Sequence, residues 1–333
     1  MWKVNAGRRS VFASDFLNGN VVAIGWSEAG DYTSVPSKDE LFNRVKAAYP
    51  DWTDRQTEVG VGQIWRFLRG IRVGDTVLTY DPATRLYHLG RIDGEPSYRP
   101  DDIPSLPVQR AVRWTSSVSR DDLSTRAKNK LGAILTLFLV ESQTAEELQS
   151  IASGSRPTHQ QGAGLESEEE EDFDSVADPL DNLQEQAIER IKDRLLSLDW
   201  DDMQEMVASL LRALGYRTLV SPAGPDRGKD IVASKDGFGF EPPRIVVEVK
   251  HRRGAMGAPE IRAFLGGRHA QDKGLYVSTG GFTREAYFEA ERASTVTHLM
   301  TLDDLARALT DNYDRLDERG RALLPLVRVY WPA

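Results

Sequence analysis

The chain contains no cysteine, which excludes disulfides, thiolate metal sites and cysteine nucleophiles in one step. It also lacks any uninterrupted apolar run of the ~18 residues that a membrane-spanning helix requires. The opening residues Met1-Trp2-Lys3-Val4-Asn5 have no apolar core of the kind a secretory signal carries. A cytoplasmic location is the expectation.

What is present is enough for two domains. The 333 residues are 40% apolar and 28% charged, an ordinary balance for globular chains that bury a core. The net charge of −9 looks unsuited to a nucleic-acid partner until it is divided. Residues 1–140 carry 19 basic and 16 acidic side chains, residues 141–180 one and eleven, and residues 181–333 22 and 24. The deficit sits in the middle segment, which is polar, contains glycine and runs acidic from Glu166 to Asp174. Such a stretch repels itself and has little to bury. The expected organisation is a first domain over 1–142, a flexible acidic linker over 143–180 and a second domain over 181–333.

The first domain reads as short strands with few helices. Val21 to Trp26 leaves a turn at Asn18-Gly19-Asn20, Val73 to Tyr80 gives a turn and strand, and Tyr87 to Ile92 and Ala111 to Trp114 add more. Gln63 to Leu68 reads as helix. That spacing suggests a small β-barrel in an α+β domain. Tryptophan is plentiful here, at 2, 26, 52, 65 and 114. Most large rings fill cores, but a pocket for an extruded base also needs rings to stack on it. Trp26, Tyr32 and Trp65 are the candidates, with Trp26 entering a polar loop.

The second domain alternates helix and strand. Leu183, Ala187, Ile188, Ile191, Leu195 and Leu196 share one helical face, as do Met203, Met206, Val207, Leu210, Leu211 and Leu214 on the next helix, which stops at Gly215. Strands follow at Asp230–Ala233, Ile245–Lys250, Leu275–Ser278 and near His298–Leu302, with helices from Pro259, Thr283 and Asp303. This is α/β, with helices packed on a central mixed sheet.

One strand carries chemistry. In Ile245-Val246-Val247-Glu248-Val249-Lys250 the side chains alternate, so Glu248 and Lys250 share a face. If the preceding strand pairs with it, Asp230 joins them. Two carboxylates can hold a hard divalent cation, and a lysine can steady a water or a developing charge. An exposed ion pair on a strand, worth ~0–1 kcal/mol, would use the same letters, so spacing alone leaves both readings open. His269 and His298 read as packing or surface residues. Thr279-Gly280-Gly281 reads as a turn, because it lacks the Gly-Lys-Ser/Thr of a nucleotide-binding loop.

The order Leu214-Gly215-Tyr216, Gly228-Lys229-Asp230, Glu248-x-Lys250, Pro259-Glu260-Ile261-Arg262, then Lys273 to Thr283 and Ala286 to Ala290, resembles the catalytic domain of Mrr-like restriction endonucleases. These belong to the PD-(D/E)xK superfamily, and the resemblance covers roughly residues 185–308. It implies hydrolysis of DNA phosphodiesters with Mg²⁺ or Mn²⁺, Asp230 and Glu248 as metal ligands and Lys250 at the attacking water. That family commonly carries a glutamate near the start of its first helix where this chain has Gln204. Glu205 is adjacent but turned about 100° around the helix. Gln204 is therefore a candidate neutral member of the site. His251, Arg252 and Arg253 follow the lysine, with the two arginines placed to contact DNA backbone.

The front segments Val21 to Trp26, Trp65-Arg66-Phe67 with Val73 to Val77, and Tyr87 to Ile92 resemble the PUA-like group that includes EVE and YTH domains, whose relatives bind modified bases. Together the two resemblances imply a type IV, modification-dependent restriction enzyme. Double-stranded DNA carrying modified bases is the implied partner, 5-methylcytosine the first choice of mark, and N6-methyladenine, hydroxymethylcytosine and glucosylated bases remain open. No nucleotide triphosphate and no membrane partner are implied. A homodimer would supply the two active sites that double-strand cleavage needs. The competing readings are a structure-specific or repair nuclease, a non-cleaving modified-base module, and RNA as the bound partner.

Overall fold

A computed structural model of the chain describes residues 1–132, 135–154, 179–221, 230–236, 240, 242–266, 268–269 and 271–330, with side chains from residue 183 in the helix that begins at Pro179. The chain divides into two compact units, Met1–Leu183 and Gln184–Ala333. The acidic run from Glu166 to Asp174 lies outside the described residues.

The first unit comprises β1 (Trp2–Val4), α1 (Ala13–Gly19), β2 (Val21–Ile24), α2 (Lys38–Ala48), α3 (Asp54–Trp65), β3 (Thr76–Asp81), β4 (Leu86–Ile92), β5 (Ser97–Tyr98), β6 (Val108–Ser119), α4 (Thr125–Leu131), β7 (Leu137–Leu139) and α5 (Ser142–Ala152). Its mixed sheet runs β2-β6-β4-β3-β1-β7, with β5 beside β6. The twelve residues of β6 change partner midway: Val108–Ala111 pair with β2 and Val112–Ser119 with β4. Alternating side chains feed two cores. Val77 joins Phe16, Ile24, Leu41, Val45, Ile64 and Phe67 on one side, while Leu78 and Tyr80 join Tyr87, Leu131 and Leu148 on the other.

Two expectations are corrected here. Among the described residues no pairing joins β2 to β7, so strand pairing does not close the expected barrel, and five helices accompany strands that were read with few helices. The linker does not start at 143 either, because α5 occupies Ser142–Ala152 and buries Leu148 against the first unit. The reason for the missed helices is local. α2 and α3 are polar on their outer faces and start at Ser37 and Thr53, whose hydroxyls accept from Glu40 N (3.2 Å) and Gln56 N (3.2 Å). α3 then widens into a π turn over Arg66–Gly70. Arg110 of β6, 1% exposed, satisfies the freed carbonyls: it donates to Phe67 O, Leu68 O and Ile71 O, each at 3.0 Å.

The second unit comprises α6 (Pro179–Leu196), α7 (Trp200–Ala213), β8 (Arg217–Val220), β9 (Ile231–Ser234), β10 (Ile245–Lys250), α8 (Ala258–Leu265), β11 (Lys273–Ser278), α9 (Arg284–Glu291), β12 (Thr297–Thr301), α10 (Leu302–Asp311) and α11 (Glu318–Leu323). The sheet order is β12-β11-β10-β9-β8. β10, β11 and β12 are parallel, β9 runs antiparallel to β10, and β8 runs antiparallel to β9, which gives the mixed sheet read from the sequence. One face packs Val247, Val249 and Val277 on Met203, Met206, Val207, Leu305 and Leu309 of α7 and α10. The other face packs Tyr276 and Leu299 against Ile261, Phe264 and Ala286 of α8 and α9. β8 went unread because Leu219 and Val220 are exposed and show no alternation.

Candidate active site

The alternation of β10 sends Val247 and Val249 into the larger core and leaves Glu248 and Lys250 on the opposite face. Lys250 Nζ lies 2.7 Å from Glu248 Oε1; the lysine side chain is 34% exposed, the glutamate only 11%. Asp230 precedes β9 and is 4% exposed. Its N–H donates to Val247 O at 3.0 Å, and its Oδ2 accepts from Val249 N at 2.6 Å. β9 pairs Ile231 with Val247 in antiparallel register, and one further step of that register sets Asp230 opposite Glu248. The structure therefore gathers Asp230, Glu248 and Lys250 on one strand pair, with one carboxylate fastened to the backbone between the other two residues.

β11 adds two neighbours that periodicity alone did not single out. In parallel register Tyr276 lies beside Glu248 and Ser278 beside Lys250. Both are buried. Burial, reinforced by the Glu248 carboxylate, pushes the Tyr276 phenol well above its ordinary range. Ser278 Oγ is buried and has no hydrogen-bond partner among the described residues. Only knowledge of which strand pairs with β10 could have identified them.

The turns that follow β10 and β11 are fastened to each other. Thr279 N donates to Lys250 O at 3.0 Å, Met256 N to Gly281 O at 2.9 Å and Thr283 N to Met256 O at 2.9 Å. Gly280 is packed so tightly that a Cβ there would lie 2.2 Å from Gly254 O and 2.8 Å from Arg252 O. Arg252 and Arg253 stand exposed on this lip. Arg252 Nη2 reaches Met256 Sδ at 3.3 Å and Glu260 at 3.8 Å. His251 does not join them: its Nε2 donates to Leu198 O at 2.8 Å, which ties the strand end to the segment between α6 and α7.

Gln204 is 1% exposed on α7, a helix that packs on the Val247 and Val249 face, and its Nε2 has no hydrogen-bond partner among the described residues. Glu205 is structural: Arg212 holds its carboxylate at 2.6 Å and Arg319 at 3.5 Å. Arg212 also binds Asp317 at 2.6 Å, which links α7 to the start of α11.

In the first unit the three candidate pocket residues separate. Tyr32 is core, 0% exposed, with its hydroxyl donating to Gly25 O; a ring so enclosed cannot stack on a ligand. Trp65 lies half-buried at the end of α3, with the Arg69 guanidinium 5.8 Å from its ring. Trp26 holds a left-handed backbone, φ +63°, unusual for a residue with a side chain. The position a Cβ would take on Gly60 lies 3.2 Å from Trp26 Nε1 and 3.1 Å from Trp52, so both indoles lie against that glycine. Tyr49 stacks on Trp52 with centroids 4.4 Å apart and planes at 17°. Trp52 and Tyr49 were not linked to Trp26 in the sequence, because they sit together between α2 and α3 while Trp26 follows β2.

Comparison with known proteins places these units. Residues 195–309 match a family described as "Restriction endonuclease", the Mrr catalytic domain, and residues 2–138 match a domain of unknown function, DUF8426. The chain is 28% identical over 128 residues to the uncharacterized protein y4cE of Sinorhizobium fredii (strain NBRC 101917 / NGR234), a match covering 37% of this chain and 32% of that protein. It is 29% identical over 120 residues to the type IV methyl-directed restriction enzyme EcoKMrr of Escherichia coli (strain K12), covering 34% of this chain and 39% of that enzyme. The chain thus spans about a third of the length of these curated relatives. Among solved structures, MspJI restriction endonuclease in complex with a 27-mer oligonucleotide matches at TM-score 0.32 and 12% identity, over 80% of this chain and 69% of that one. The DNA modification-dependent restriction endonuclease AspBHI matches at TM-score 0.32 and 18% identity, over 80% and 72%.

Proposed function

We propose that this chain, whose residues 195–309 form an Mrr-like restriction endonuclease domain, is a type IV enzyme that binds modified DNA through its first unit and hydrolyses phosphodiester bonds with its second. The observation that carries the nuclease reading is the arrangement of Asp230, Glu248 and Lys250: two buried carboxylates and a lysine on one face of the central strand pair.

Restriction endonuclease catalytic domains generally use divalent metal ions. The donors here fit one of the hard cations, because Asp230 and Glu248 are oxygen ligands held at low exposure. Among the described residues no group of three or more Asp, Glu and His side chains is gathered, so these two carboxylates would hold the ion. Mg²⁺ or Mn²⁺, when bound, would polarise the phosphate and make a bound water more acidic. Lys250 contributes a donor and a positive charge beside Glu248 where the water approaches. The water oxygen bonds to phosphorus and releases a proton to solvent as one phosphorus–oxygen bond to deoxyribose breaks, and the leaving oxygen takes a proton from solvent. Arg252 and Arg253 on the lip would hold the flanking backbone, which fixes position without reading sequence.

The modified-base reading rests on Trp26 and Trp52 against Gly60, with Tyr49 stacked on Trp52, flat surfaces of the kind that take up an unstacked base. The Escherichia coli relative is described as methyl-directed, which supports a methylated base as the mark, with 5-methylcytosine the first to test and N6-methyladenine beside it. Equilibrium binding of the full chain carrying Lys250→Ala, to one duplex in plain, 5-methylcytosine and N6-methyladenine forms, tests this half. Preference for one modified duplex by tenfold or more, about 1.4 kcal/mol, is the expected result. Equal affinity for all three removes base reading and leaves a nuclease without modification dependence.

A further inference from the structure

Strand order sets a row of residues across three strands at the site. Lys250 of β10 lies beside Ser278 of β11, and Ser278 beside Thr301 of β12, all in parallel register. Alternation along β11 sends Leu275 and Val277 into the larger core and Tyr276 to the opposite face. Ser278 therefore shares the face of Tyr276, and with it that of Glu248 and Lys250. It is 0% exposed, and its Oγ has no hydrogen-bond partner among the described residues. A hydroxyl buried in that condition raises the free energy of the fold, so such a group calls for an explanation. Thr301, on one side, is engaged: its hydroxyl donates to Asp304 Oδ2 at 2.7 Å and accepts from Asp304 N at 3.2 Å, which caps α10. Lys250 is the neighbour on the other side. Its ammonium carries three donors, and among the described residues it meets Glu248 Oε1 at 2.7 Å.

We propose that Ser278 is a positioning residue for Lys250, its hydroxyl accepting a hydrogen bond from the ammonium when Glu248 is engaged by a divalent cation; the inference rests on the nuclease reading above. A carboxylate that ligates a cation shares its negative charge with it and holds a lysine less firmly. The cation and the ammonium then compete for one carboxylate, at short range in a partly buried place where repulsion is poorly screened. Ser278 offers the lysine a second acceptor one strand away, about 4.8 Å between backbones. β10 lies between β9 and β11, so a lysine that leans on Ser278 leans away from Asp230 while staying on the face of the site. A serine suits this task because its oxygen accepts without adding charge. A carboxylate in its place would capture the lysine outright.

The test measures Mn²⁺ affinity, from the paramagnetic resonance of the free ion, for the full chain, Ser278→Ala, Lys250→Met and the double variant. Thermal melts without divalent cation accompany it. Ser278→Ala breaks no hydrogen bond of the structure, so without cation it should melt no lower than the parent. It should nevertheless bind Mn²⁺ about tenfold more weakly, the scale of one hydrogen bond to a charged group. In the Lys250→Met background the same change should leave Mn²⁺ affinity where it was, because the serine acts through the lysine. Parent affinity in Ser278→Ala overturns the proposal. So does an equal loss in the Lys250→Met background, or a melt well below the parent without cation, since either gives the hydroxyl a partner other than Lys250. If the unaltered chain binds no Mn²⁺, the nuclease reading itself has failed; Mn²⁺ binding that Ser278→Ala does not move defeats this inference alone.

Discussion

Asp230 Oδ2 accepts a 2.6 Å hydrogen bond from Val249 N, the peptide that separates Glu248 from Lys250. One acidic side chain therefore fixes the backbone that aims the other two. This separates charge from architecture at Asp230. Asp230→Asn keeps an acceptor for Val249 and removes the charge, so it should abolish metal-dependent cleavage while melting close to the parent. Asp230→Ala leaves a buried N–H unpaired and should cost a further ~1–3 kcal/mol of stability. Paired thermal melts and cleavage assays check both halves.

Gly280 makes a second architectural prediction. A methyl group there would press on Gly254 O and Arg252 O, so Gly280→Ala must part the two turns that carry Lys250, Arg252 and Thr279. The expected cost is ~1–3 kcal/mol, with cleavage falling further than the melting temperature alone accounts for. Unchanged melting would show that the turns separate freely.

In the first unit, Trp52→Ala should weaken binding of modified duplex by ~1–3 kcal/mol, the usual worth of a ring stacked on a base, with little effect on plain duplex. Tyr32→Phe removes only the hydroxyl bonded to Gly25 O and should act on stability instead. Titrations of both variants distinguish a ligand-facing ring from a core ring.

Acid should weaken the second unit. Burial tends to raise Asp303 and Asp317, but Arg307 with Lys192 at the first, and Gly320 N, Arg212 and Ser209 at the second, hold both below the usual aspartate range. A lowered folded value means stability that is complete above the unfolded value of about 3.9 and is lost as pH falls through the folded one. Asp317→Asn should therefore lower the melting temperature at neutral pH and flatten its decline in acid.

The site was more legible than its frame. Glu248 and Lys250 were readable because a strand fixes which side chains share a face, and Asp230 because its strand pairs with theirs. Tyr276 and Ser278 were not, since their approach depends on strand order. Gln204 is on α7, which packs on the other face of the sheet. In the first unit α2 and α3 were hidden by polar outer faces, and the meeting of Trp26 with Trp52 depends on how the segment after β2 and the connection between α2 and α3 both come against Gly60.

Cleavage of one duplex in plain and 5-methylcytosine forms, by the full chain and by Lys250→Ala with Mg²⁺ present, tests the central claim most directly. The account predicts that the parent cuts the methylated duplex, spares the plain one, and loses activity with Lys250. Equal cutting of both duplexes, or cutting that survives Lys250→Ala, would contradict it.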